Sequence, residues 1–238
     1  MELLPTCLNL ALTLLPPSLM SVKSTPSKRV AATAEATYPL THFSHFVEGR
    51  IGDIPESIHK PIATTLYDVI HPRERGAELA EVIHGLRGRS LNTRPFVVNK
   101  SPNGPGAEAE ICLLATFGGR KLSELDLAMQ HFSIPAGSAM MQCGDVVPLQ
   151  IEPNWPTPNQ FIICKPILLD WGKKPRMRKA RMHGVKWYQL TPEAQTRLAN
   201  LIDDRKESLS SMSLCDQIRM RNSYLVSLFA SLHIQNDH

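Results

Sequence analysis

IPESIHKPIATTLYDVI (54–70), followed by ELAEVIHGLRGRSLNTRPFVV (78–98), holds the pattern on which the architecture turns. From Glu56 onward, Ile58, Ile62, Leu66, Val69 and Ile70 recur at helical spacing, which predicts a helix over 56–70 with one apolar stripe. Pro72 ends that helix, since proline offers no backbone N–H to continue it. Leu79, Val82, Ile83 and Leu86 line one face of a second predicted helix over 76–86. GRSLNT then reads as a loop, and PFVVN (95–99) as a short strand.

Working outward, the aromatic and β-branched residues of 38–47 predict a strand, and GRIGDIP a turn after it. Beyond the turn SPNGPG lie a strand, AEICLLATF (109–117), and a helix over 121–132. That helix faces Leu122, Leu125, Ala128, Met129 and Phe132 inward. Two more strands fit 139–142 and 146–151. The sum is strand, helix, strand, strand, helix, strand, the ferredoxin-like order, with its first helix split in two. EPNWPTPN (152–159) is dense in proline and marks a domain boundary, dividing a flexible leader (1–36) and a first domain (37–155) from a second (156–238). The second holds a buried strand, FIICKPILL (161–169), a basic run, and helices over 192–210 and 214–232. No internal repeat interrupts the chain.

With 238 residues, 42% hydrophobic and 20% charged, the chain can bury a substantial core. A net charge of +4 permits a polyanionic partner without demanding one. The cysteines, at 7, 112, 143, 164 and 215, form no CxxC pair and are odd in number, so free buried thiols in a reducing cytoplasm fit better than a zinc knuckle or a disulfide framework. Residues 3–19 are apolar but contain three prolines and lack a basic flank, which argues against a membrane span or signal peptide. Met20 as the true start, a disordered leader, and an accessory apolar helix all fit that segment.

The 54–98 stretch also carries a family resemblance. Ile54-Pro55, Leu66-Tyr67, Ile83-His84 and Arg94-Pro95-Phe96 are similar to successive segments of the first domain of CRISPR repeat-processing endoribonucleases, members of the RAMP superfamily. Phe161–Ile167 and Trp187-Tyr188 followed by Leu190-Thr-Pro-Glu193 resemble segments of that family's second domain, so the likeness spans about 40–208. The family's glycine-rich loop near the end of the second domain has no counterpart, because no glycine follows Gly184. The resemblance implies an α+β protein of tandem ferredoxin-like (RRM-like) lobes, the second short or degenerate. It implies metal-independent cleavage of precursor CRISPR RNA within its repeats, by 2′-hydroxyl attack and without a cofactor, the enzyme staying bound to its product. A non-catalytic RAMP subunit, binding guide RNA among other CRISPR effector subunits, is the alternative.

Such a reaction needs a base, an acid and a cation, all of which side chains can supply. Histidine titrates near working pH, and a positioned arginine stabilises charge that develops in the transition state. His84, at the end of a helix whose dipole favours its charged form, is the candidate acid or base. Tyr67 would position the 2′-hydroxyl and Arg94 would stabilise the phosphorane. Read without the resemblance, His84 is equally a surface residue, Tyr67 a core side chain and Arg94 a solvated cation. His42 and His45, in the first predicted strand, either face RNA or serve the structure, His59 and His71 flank the first helix, and no carboxylate or histidine spacing suggests a metal site.

GKKPRMRKARMHGVKW (172–187) is the second feature. Lys173, Lys174, Arg176, Arg178, Lys179, Arg181 and Lys186 stand there with no acid among them and with Trp187-Tyr188 adjoining. Such a run is either a solvated face or a phosphate tracker with stacking aromatics. Arg87 and Arg89, in the loop after His84, would extend an RNA-binding surface.

Overall fold

A computed structural model describes residues 44–70, 77–87, 92–103, 107–137, 147–153, 155–182 and 185–236. Tyr38–His238 cluster as one unit. The element order is β1 (Ile51–Pro55), α1 (His59–Val69), α2 (Ala77–Arg87), β2 (Thr93–Lys100), β3 (Glu110–Ala115), α3 (Leu127–Phe132), β4 (Ser133–Gly137), β5 (Leu149–Glu152), β6 (Gln160–Ile163), β7 (Ile167–Leu168), β8 (Arg176–Met177), β9 (Lys179–Met182), β10 (Val185–Trp187), β11 (Gln189–Leu190), α4 (Pro192–Ser211) and α5 (Leu214–Asn236).

The protein is α+β, built on one curled mixed sheet in the order β11-β5-β4-β6-β3-β2-β1-β8. β4 and β5 run parallel, and the other recorded pairs are antiparallel. β11 also meets the start of β1, next to the far end of the run: Arg50 bridges Gln189, the Ile51 N–H donates to Tyr188 O at 2.9 Å, and the Leu190 N–H donates to Gly49 O at 2.8 Å. β11 thus touches both β5 and the start of β1, closing a ring of strands.

Strand alternation sorts the side chains into two cores. Ile111, Leu113 and Ala115 of β3 join Phe96, Ile54 and the buried stripes of α1, α3 and α5 outside the ring. Cys112 and Leu114 point the other way, to Ile51, Val97, Ile134, Ile151, Ile162 and Leu190 inside it. A strand buried on both faces reads as a continuous apolar run, as EICLLA does. Thr191 caps α4 by accepting from the Ala194 N–H at 3.2 Å, with Pro192 in the first turn.

Both helices of the deciding stretch form as their spacing predicts, over 59–69 and 77–87. GRIGDIP is a turn only at its start, where the Arg50 N–H donates to Val47 O at 3.1 Å; Ile51–Pro55 form β1. Gly52 is there for close approach, because a Cβ on it would lie 2.5 Å from the Phe96 ring and 2.7 Å from Arg176 O. The strand expected over 38–47 lies mostly outside the described residues; within it Ser44 and His45 form a short 3-10 turn. The strand expected over 139–142 lies wholly outside them, and β4 forms just before it. The boundary expected at 155/156 falls in the connection between β5 and β6, and β6 lies between β4 and β3. Strands from both sides of it therefore share one sheet.

Candidate nucleic-acid interface

The basic run folds into short strands. β8 lies against β1, with Asp53 opposite Arg176, and β9 pairs with β10, with Lys179 opposite Trp187. Its cations divide into two sets. Arg178 grips Asp53 with two donors, Nε at 2.9 Å and Nη2 at 2.5 Å, and lies 5.2 Å from the Trp155 ring centroid. Lys173 donates to Glu56 at 2.5 Å, and Lys60 approaches the same carboxylate at 3.7 Å. Glu56 is only 3% exposed, so these lysines neutralise a charge that burial alone would disfavour. Lys173 and Arg178 therefore fasten the hairpin to β1 and its following turn.

Lys174, Arg176 and Lys179 are exposed and make no ion pair among the described residues. Arg176 and Lys179 line a cavity of about 330 Å³ with His45, Phe46, Pro175, Met177 and Trp187. The His45 and Trp187 rings are 5.2 Å apart, and Arg50 backs the indole at 5.9 Å. Trp187 is 9% exposed, so it forms a wall of the cavity rather than an open platform. Aromatic walls beside unpaired cations suit an unstacked base and its phosphate. Arg181, Lys186 and Arg87 are placed by backbone alone, on β9, β10 and α2, and Arg89 lies outside the described residues.

Arg94 belongs to a second cluster. The register sets Ile54 opposite Arg94 and Phe96 opposite Leu113, so β1 ends, β2 begins and β3 ends at one edge of the sheet, where α1 starts. After β3, Phe117, Gly118 and Gly119 take φ of 48°, 68° and 82°, a left-handed turn that presents Arg120. The Phe117 ring anchors it 5.5 Å from Phe161. His59 begins α1 beneath these groups, its ring 5.9 Å from that of Tyr224, whose hydroxyl donates to the His59 carbonyl at 3.1 Å.

Burial, with the charges of Arg94 and Arg120, holds the His59 imidazole down at about 4, so it is neutral at pH 7. Its Nδ1 is buried without a hydrogen-bond partner among the described residues, which costs about 1–3 kcal/mol. Arg94 is itself half-buried, its pKa lowered by that burial, and no carboxylate among the described residues pairs with it. Asp126 also lies near Tyr224; burial raises its pKa, and its carboxylate caps α3 by accepting from the Met129 N–H at 2.9 Å.

Of the proposed catalytic set, Arg94 meets His59, a residue to which the sequence reading gave no role. His84 is exposed on α2, and Tyr67 is half-buried against the outer core beside Ile83 and Leu86. Among the described residues, no hydrogen bond, ion pair or ring contact joins His84 to Arg94. The signal that could have singled out His59 is its place at the first turn of a helix directly after a strand. His45 was read as a strand residue facing either RNA or the interior, and it lines the hairpin cavity.

Cys112 and Cys164 are free and buried inside the ring. Burial pushes the Cys164 thiol up to about 12 and raises Cys112 too, so neither is a thiolate at neutral pH. Among the described residues, no group of three His, Cys, Asp or Glu could hold a metal, and no helix is long and apolar enough to cross a membrane. Compared with known proteins, the chain matches no family model, no curated protein and no solved structure.

Proposed function

We propose that this chain binds single-stranded RNA through the β8–β10 hairpin. The observation that carries the reading is the meeting of Arg176, Lys179, Trp187 and His45 around one cavity. Cations there track the phosphates, while the rings accept a base, a contact worth about 1–3 kcal/mol per base. The test is fluorescence anisotropy on a labelled CRISPR repeat RNA at several salt concentrations. Salt-dependent binding that the double variant R176A/K179A weakens supports the reading. Binding indifferent to that variant, or absent at moderate salt, refutes it.

A second reading is favoured by Arg94 standing without a carboxylate beside a neutral imidazole. It is the metal-independent endoribonuclease that the resemblance implies, cutting precursor CRISPR RNA within repeats. The 2′-hydroxyl attacks the adjacent phosphorus, the 5′-oxygen leaves, and a 2′,3′-cyclic phosphate and a 5′-hydroxyl result. Arg94 stabilises the phosphorane charge. His59 is neutral and can take the 2′-proton, its basicity rising as the bound phosphate offsets the charges of Arg94 and Arg120; His84 remains the candidate for the opposite transfer and Tyr67 for positioning the hydroxyl. Cleavage in EDTA that vanishes when the 2′-hydroxyl at the cut site is replaced by hydrogen supports this reading. Tight binding without cleavage assigns the chain to the non-catalytic, guide-binding alternative. The two-lobe ferredoxin-like plan rests on the resemblance alone.

A further inference from the structure

We infer that the corner formed by His59, Arg94 and Arg120 is a binding site for a phosphomonoester dianion. The inference stands apart from the hairpin reading, since the hairpin can hold a strand with this corner empty, and it competes with the cleavage reading, which assigns His59 and Arg94 to an internal phosphodiester.

Geometry comes first. The ends of β1, β2 and β3 converge here, delivering Arg94 from the start of β2 and Arg120 from the left-handed turn after β3. His59 lies at the same sheet edge with a buried, unpartnered Nδ1. Among the described residues the Arg94 side chain has no hydrogen-bond partner, although its half-buried guanidinium has five donors to satisfy. Arg120 spends one donor, Nε, on Phe117 O at 3.2 Å and keeps the rest of its fork.

Charge then selects the ligand. The corner carries two guanidinium charges. The nearby carboxylates are committed: Glu56 to Lys60 and Lys173, Asp126 to the cap of α3. A carboxylate or an internal phosphodiester brings a single negative charge and leaves one cation unmatched. A phosphomonoester, about half dianion at pH 6 and approaching two negative charges above roughly pH 7, balances both and offers oxygens to each fork. The α1 terminus supplies no free donors, because the His59 N–H goes to Ser57 Oγ at 3.2 Å, the Lys60 N–H goes to Ser57 O at 3.3 Å, and Pro61 has none. The arginine side chains, not the helix end, would recognise the ligand. The phosphomonoester can come from a free phosphate or mononucleotide, or from the end of a polynucleotide.

The probe is inorganic phosphate at pH 7.5, followed through the His59 ring signals by NMR with the full chain. Saturable movement of those signals is expected, with the imidazole pKa rising as the anion offsets the arginine charges. Arg94→Gln and Arg120→Gln should each weaken binding about 10-fold or more, the cost of one charge-assisted contact. Arg120 lies on an exposed turn, so its variant keeps the test open if Arg94→Gln fails to fold. A 5′-phosphorylated oligonucleotide binding tighter than its 5′-hydroxyl twin, with the gap lost in Arg120→Gln, identifies a polynucleotide end. Equal oligonucleotide affinities with phosphate still bound identify a free small ligand. No saturable binding of phosphate, or binding untouched by both substitutions, overturns the inference.

Discussion

The hairpin around Arg176 and the corner around Arg94 are both cationic, yet they handle charge in opposite ways. In the hairpin, Lys173 and Arg178 are answered by Glu56 and Asp53, and only exposed cations remain unpaired. In the corner, a half-buried arginine and a buried imidazole nitrogen go unanswered. Water screens an unpaired charge on an exposed hairpin at little cost, whereas in a half-buried corner the cost stays in the fold until a ligand arrives. Positive sequence alone therefore says little about where an anion binds. The partner carboxylates decide it, and here they lie 117 and 125 residues away in sequence.

Breaking the internal pairs should have the largest effect. Lys173→Met leaves Glu56 buried with only the more distant Lys60, and should cost about 3 kcal/mol, read as a lower denaturation midpoint. Lys179→Met, with no carboxylate to orphan, should leave that midpoint nearly unchanged; equal losses in the two variants would erase the division between tied and free cations. Gly52→Ala pushes a methyl group onto Phe96 between the two regions and should cost about 1–3 kcal/mol by the same measurement.

Smaller effects sharpen the contrast. Trp187→Leu should weaken RNA binding by about 1–2 kcal/mol in anisotropy while phosphate binding at the corner is retained. Arg176→Ala should lower the slope of log affinity against log salt by about 0.7, the loss of one phosphate contact on a single strand. Acid probes the corner. Because His59 titrates near 4 when folded and near 6.5 when unfolded, its contribution to stability is complete above pH 6.5 and is lost as pH falls toward 4. His131, also lowered by burial, adds in the same direction. His59→Asn should flatten the pH dependence of the denaturation midpoint over that window by up to about one proton's worth.

Local features were legible in the sequence. α1 and α2 announce themselves by apolar spacing, α4 by Pro192, and β3 by its unbroken apolar run. β1 was hidden because Gly52 imitates a turn residue, while its reason for being glycine is the ring of Phe96, far along the chain. The basic run was visible as composition, but its division into tied and free cations depends on Asp53 and Glu56. Arg94 was singled out; His59 was not, because its environment exists only once three strand ends and α5 have met. Periodicity reports neighbours within an element, and functional clusters are built from neighbours between elements.

The closure of the strand ring also sets an order of assembly. β6 sits between β3 and β4, and β11 joins β5 to the start of β1, so pairings span from Arg50 to Gln189. Such long-range contacts slow folding, because the loops must close before the pairing rewards them. On a ribosome the first strands emerge well before β11, leaving two open sheet edges that invite pairing with other chains. A fragment ending before Gln189 would keep those edges for good, and its fate would be aggregation rather than a smaller folded domain.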